Sequence, residues 1–188
     1  MRYAVKNQSG FTLLETIVAI FILSLAVVGF LSVMTRGISI GSYAKDEMIA
    51  SFLAQDAMEY IRAKKNENIL QAPGVSWLDG TRQGGAPCDG GESCGVDTTV
   101  ESLPGPQYRF IKRCTQLPTN GCALWYNTNS GAYGHNNGAG WIQTKFGRTV
   151  TMNEIVDNRE VQVVVTVSFP QGNVTKSTVF YQNMYNNI

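Results

Sequence analysis

Four cysteines, at positions 88, 94, 114 and 122, and a single histidine, His135, have the widest chemical reach in this 188-residue chain. A catalytic thiol needs a base beside it. The one imidazole stands in a Gly/Asn-rich stretch that offers no such arrangement. Zinc sites favour Cys-x-x-Cys pairs, and cysteine separations of six and eight provide none. In an exported segment an even count reads instead as two disulfides, with three connectivities open. The local pairing, Cys88 with Cys94 and Cys114 with Cys122, closes the smallest loops at the lowest entropic cost and is the one favoured. Asp89, Glu92, Asp97 and Glu101 could offer carboxylates to calcium, but their spacing matches no defined calcium loop and they read as solvated acids. No metal, no cofactor and no enzymatic activity is expected from these residues.

The charge that does stand out is Glu15, which has no charged neighbour between Lys6 and Arg36. It opens an apolar run. Residues 16–35 read TIVAIFILSLAVVGFLSVMT, with no charge and no proline. A helix of that length spans about 30 Å, the thickness of the hydrocarbon core of a bilayer. The run is longer than a signal-peptide core, and no small-residue cleavage site follows it before Arg36. A retained membrane helix fits better. Arg2 and Lys6 place its N-terminus on the cytoplasmic side, so that the remainder is exported. A carboxylate at membrane depth costs about 3 kcal/mol and is expected to have a partner.

These residues carry a resemblance. Ser9-Gly10-Phe11-Thr12-Leu13-Leu14-Glu15 resembles the processing site of the type IV pilin family, which includes pilus subunits and the pseudopilins of type II secretion and DNA-uptake systems. The pattern is a short basic leader ending in glycine, then Phe, then Glu at the fifth mature position, then about twenty apolar residues; the close similarity runs to about residue 65. The resemblance implies cleavage between Gly10 and Phe11 by a prepilin peptidase and methylation of the new Phe11 amine. It also implies that Glu15 pairs with the Phe11 amine of a neighbouring subunit during assembly on an inner-membrane platform. Opposite charges in a dry helix bundle attract strongly, and each offsets the burial cost of the other. Major pilins commonly carry a proline near the position of Ser32; its absence leans toward a minor pilin or pseudopilin.

The elements that must position this machinery follow from periodicity. Between 36 and 65, Ile49, Ala50, Leu53, Ala54, Ala57 and Ile61 recur at helical spacing, with Ser51, Gln55, Glu59 and Arg62 opposite. Met48 and Phe52 lie off that stripe, either to cover the edge of the head or to contact neighbouring subunits. Phe11 to Lys65 contains no proline, so the two segments form one rod of about 80 Å if Gly29, Gly37 and Gly41 are tolerated. Residues 66–106 are dense in turn signals and read as an irregular loop, packed through Val75, Trp77 and Leu78. A short strand is expected over 108–113 and a further strand over 141–155 centred on Phe146 to Met152, with a loop or hairpin tip carrying exposed aromatics between 123 and 140. Val161, Val163, Val165 and Val167 alternate in period two, Pro170 to Asn173 form a turn, and 174–185 return as a final strand. Three or four antiparallel strands would pack their valine face on the alanine face of the helix.

The expected organisation is therefore a leader (1–10), a transmembrane and assembly helix (11–35), an amphipathic helix (36–65) and a loop-rich β head (66–188). The fold class is α+β, pilin-like, with a long helix on an antiparallel meander. Charge supports a structural role. The chain has 15 basic and 14 acidic side chains, and loss of Arg2 and Lys6 leaves 13 against 14. That balance argues against DNA binding. The expected function is a subunit, major or minor, of a type IV pilus-like filament, whose partners are other pilin subunits, the peptidase, the platform and, before assembly, membrane lipid. It would sit in the inner membrane as a single-pass protein and then in an extracellular or periplasmic filament. The alternatives are a pseudopilin and, from another class, a membrane-tethered exported enzyme or binding module.

Overall fold

The computed structural model describes residues 10, 12–70, 76–80, 88, 93–99, 111–119 and 121–186. Phe11, the leader residues 1–9, Val75, Asp89, Glu92, Glu101 and positions 108–110 of the expected strand lie outside the described residues. The chain divides into two compact units, up to Ala44 and from Lys45 onward.

Helix α1 runs from Leu13 to Leu70. Gly29, Gly37 and Gly41 do not interrupt it. Its end lies five residues beyond the expected Lys65. Asn66 and Asn68 read as turn formers, but Asn68 is buried and its Nδ2 donates to the carbonyls of Trp77, at 3.3 Å, and Asp79, at 2.9 Å. A tertiary partner for the amide thus outweighs its local preference for a turn. In the first unit the most apolar stretch of α1 has none of its residues buried, and it is long and apolar enough to cross a membrane.

In the second unit α1 buries Ala50, Leu53, Ala54, Ala57, Met58 and Ile61. Ile49, expected on that stripe, is only half-buried, and Met58 takes a core place instead. Among the described residues the facing sheet has seven strands: β1 (Cys94–Val96), β2 (Ile111–Arg113), β3 (Ala123–Asn127), β4 (Tyr133–Gly134), β5 (Trp141–Val156), β6 (Glu160–Gln171) and β7 (Val174–Tyr185). All pairings are antiparallel. The architecture is α+β. More strands form than the three or four expected, because β1 and β2 arise inside the turn-rich region and β3 and β4 form a hairpin between 123 and 140. Asn127 makes that hairpin's turn, its Oδ1 accepting from the backbone N–H groups of Asn129 and Ser130.

The core is the side-chain layer between sheet and helix. Val161, Val163, Val165, Val167 and Phe169 of β6 are all buried. Their neighbours on β5 are Met152 opposite Val163, Val150 opposite Val165 and Arg148 opposite Val167. Alanines on α1 keep the helix close to this branched face. The β6–β7 turn is shorter than expected: only Gly172 and Asn173 form it, Gly172 with φ +60°. Pro170 and Gln171 remain in β6, paired with Thr175 and Val174. The β5 ladder reaches only Ser168, so Pro170 has one strand neighbour, and its missing N–H costs no ladder bond on the open side.

Candidate functional site

The residues that start α1 are arranged around Thr12. Its Oγ1 accepts from the Glu15 backbone N–H at 3.3 Å, and its carbonyl accepts from the Thr16 N–H at 3.2 Å. Thr12 is thereby an N-cap and Glu15 the third helical residue, the Thr-x-x-Glu pattern of a capping box. A carboxylate in the first turn also faces the positive end of the helix dipole. Glu15, Leu13 and Leu14 are exposed, and Gly10 has open space where a side chain would grow. Nothing within the described chain therefore requires glycine at position 10. Further along, Thr16, Ser24, Ser32 and Thr35 each donate their hydroxyl to a carbonyl of the preceding turn, on Leu13, Ile20, Val28 and Ser32. These hydroxyls need no water, which suits a segment placed in hydrocarbon.

Residues 5–31 match the family described as the prokaryotic N-terminal methylation motif. The chain carries a prepilin processing signal. That signal spans Gly10, Phe11, the Thr12 cap, Glu15 and most of the apolar run, so the residues singled out by type and spacing fall inside one recognised unit. No curated protein and no solved structure matches the chain. The head, which starts beyond the motif, must be read from its own geometry.

That head holds two disulfides, Cys88–Cys94 and Cys114–Cys122. Cys94 opens β1, Cys114 follows β2 directly, and Cys122 precedes β3. The two bridges therefore tie the small β1–β2 ladder into the sheet on either side. No free thiol is present. Among the described residues no group of three or more His, Cys, Asp or Glu side chains could hold a metal. Asp97, one of the four candidate acids, is engaged within the fold: Oδ1 accepts from the Thr99 N–H and hydroxyl, and Oδ2 from the His135 N–H at 3.3 Å.

His135, expected in a loop, is wholly buried. Its Nδ1 lies 3.0 Å from the Ala123 carbonyl, which can only accept, so Nδ1 carries the proton. Burial first, and the neighbouring Arg148 charge second, push its pKa down to about 4, against a smaller opposing pull from Asp97. It is a neutral structural imidazole at pH 7.

Sequence reasoning missed Arg148. Its guanidinium is fully buried. Nη1 donates to the Leu53 carbonyl and to Asp56 Oδ2, both at 2.9 Å, and Nη2 donates to the Val96 carbonyl at 2.8 Å. Asp56 also accepts from the Thr98 hydroxyl. One side chain on β5 thus ties α1 to β1 and its following loop. Desolvation lowers the Arg148 pKa and the Asp56 carboxylate opposes that shift. The one available signal was position: Arg148 occupies an inward site of the Phe146, Val150, Met152 alternation. The same holds for Asp46, buried in α1 and ion-paired with Lys145 at 2.6 Å.

Proposed function

We propose that this chain is a structural subunit of a type IV pilus-like filament, made as a membrane precursor, processed between Gly10 and Phe11, and assembled through its N-terminal helix. The observation that carries this reading is the methylation motif at 5–31 joined to a helix whose apolar stretch has no buried residue. Such a surface is stable only in lipid or against other helices. In this reading Arg2 and Lys6 hold the leader in the cytoplasm, and the head from Lys45 onward is exported, where its disulfides form.

The chemistry assigned to the N-terminus is assembly rather than catalysis. Cleavage at Gly10 would free the Phe11 amine for methylation, and Glu15 of one subunit would meet that amine on the next. The pair forms where water is excluded, so its attraction is strongest in the packed filament. Intact-mass measurement of the mature chain tests the processing step. Loss of residues 1–10 with one added methyl is expected, and a bulky residue at Gly10 should leave the precursor uncut in the membrane. A full-length mass in wild-type material, or normal maturation of the Gly10 variant, contradicts the reading.

A further inference from the structure

The two sides of the sheet are finished differently. Among the described strands the sheet ends, beyond β5, in β2 and β4, three and two residues long. β2 presents Lys112 and Arg113 on exposed positions. Short, charged edges resist pairing with other chains. The opposite edge is β7, twelve residues long and bonded to β6 in an unbroken twelve-pair register. No other described strand pairs with it. It has no proline and no bulge, and its one charge is Lys176, near its start. Its outward side chains include Val179, 51% exposed, and Tyr181, 74% exposed, beside Val164 of β6.

We propose that the outer edge of β7 is an interaction surface that pairs, strand to strand and antiparallel, with β7 of a second copy of this chain. No described strand bonds the outer edge of β7, and a row of backbone N–H and C=O groups left to water is matched in register by another extended backbone. The strand's own sequence suits it to itself. Centred on Phe180, antiparallel pairing sets Val179 against Tyr181 of the second copy on the outer face, twice by symmetry. Lys176 falls opposite Met184, so no like charges meet. Aromatic and β-branched cross-strand pairs of this kind are favourable. The contact is isologous and closes at two copies, so it differs from the helix packing that would propagate a filament and can join subunits in the membrane or filaments side by side.

The test uses the full-length chain in membranes. One copy carries Val179→Cys and the other, distinguishable by a tag, carries Tyr181→Cys; the native cysteines are already paired. Mild oxidation with iodine should yield a tag-mixed disulfide dimer at about ten times the level given by an exposed control, Ile142→Cys. Adding Ser177→Lys together with Asn183→Lys to both copies, which this register sets opposite each other on the outward face, should lower that yield about tenfold with membrane level and native disulfides unchanged. Running the assay on chains that also carry Glu15→Val separates this contact from filament assembly, because β7 pairing should persist there. Yields no higher than the control, insensitivity to the paired Ser177→Lys and Asn183→Lys changes, or adducts only with proteins other than this chain would overturn the proposal.

Discussion

Arg148 on β5 and Asp56 on α1 form an unequal ion pair: the guanidinium is wholly buried, whereas the carboxylate is 51% exposed, and 2.9 Å separates them. The arginine has two carbonyl partners as well, so its hydrogen bonds survive loss of the acid while its charge does not stay balanced. Asp56→Asn should therefore destabilise the head by about 2 kcal/mol, less than a fully buried pair because water screens the acid. Arg148→Met, which removes the charge together with its donors, should cost a similar amount. The double variant should cost less than the two added together. Urea unfolding of the detergent-solubilised chain, followed by tryptophan fluorescence, reads this cycle; strict additivity would show that the two side chains act independently.

His135 gives the head a pH dependence whose direction is fixed. Its folded pKa is lowered from 6.5 to about 4, so between those values the unfolded chain binds a proton that the folded chain does not. Stability contributed by the neutral ring is whole above pH 6.5 and is lost as the pH falls toward 4, by up to about 3 kcal/mol. Unfolding midpoints measured from pH 7 to pH 4 should fall more steeply for the native chain than for His135→Gln, in which this site cannot titrate. Parallel pH profiles would remove His135 as the cause.

The two bridges close loops of six and eight residues in sequence separation. Each should add about 2 kcal/mol by restricting the unfolded chain. Non-reducing peptide mapping should recover Cys88 with Cys94 and Cys114 with Cys122, and native material should contain no alkylatable thiol. Cys114→Ser with Cys122→Ser should lower the unfolding midpoint without altering processing of the N-terminus. Stoichiometric zinc in purified protein would contradict this pairing.

What could be read from the sequence was whatever repeats with a period. The Ala50–Ala54–Ala57 stripe and the Val161–Val167 alternation each extend over several turns or pleats and are buried on the face their period assigns, and the apolar run, apolar all round, forms unbroken helix with none of its residues buried. What could not be read depends on partners distant in the chain. Asn68 continues a helix because Trp77 and Asp79 supply carbonyls. Arg148 occupies a core site because Leu53, Asp56 and Val96 surround it. His135 leaves a glycine-rich stretch for the interior because β1 leaves room at Gly95, where an added Cβ would crowd Leu117 and come within 2.9 Å of the ring Nε2. No local pattern encodes such sites, since each lone polar residue reads as surface until the fold brings its acceptors together.

Glu15 has two possible duties, and the geometry of Thr12 allows them to be separated. As the third helical residue it belongs to a capping box, in which Gln serves as well as Glu. As an assembly residue it must supply a negative charge, which Gln lacks. Glu15→Gln should therefore keep helix initiation and membrane insertion yet fail to enter filaments efficiently, and Glu15→Val should behave alike. Asp should rescue poorly, because its shorter side chain cannot reach a direct contact with the neighbouring amine. Thr12→Val makes the opposite change: it removes the hydroxyl that accepts from the Glu15 N–H and leaves the charge, at a cost of about 1 kcal/mol in helix stability. It should still be incorporated. An ordinary membrane anchor would respond differently, since removing an unpartnered carboxylate from its apolar helix favours insertion. The measurement is the amount of each variant in sheared or pulled-down filaments, normalised to its membrane level. Incorporation of Glu15→Gln at the native level, with Thr12→Val excluded, would assign Glu15 to the cap alone and leave the charge without a part in assembly.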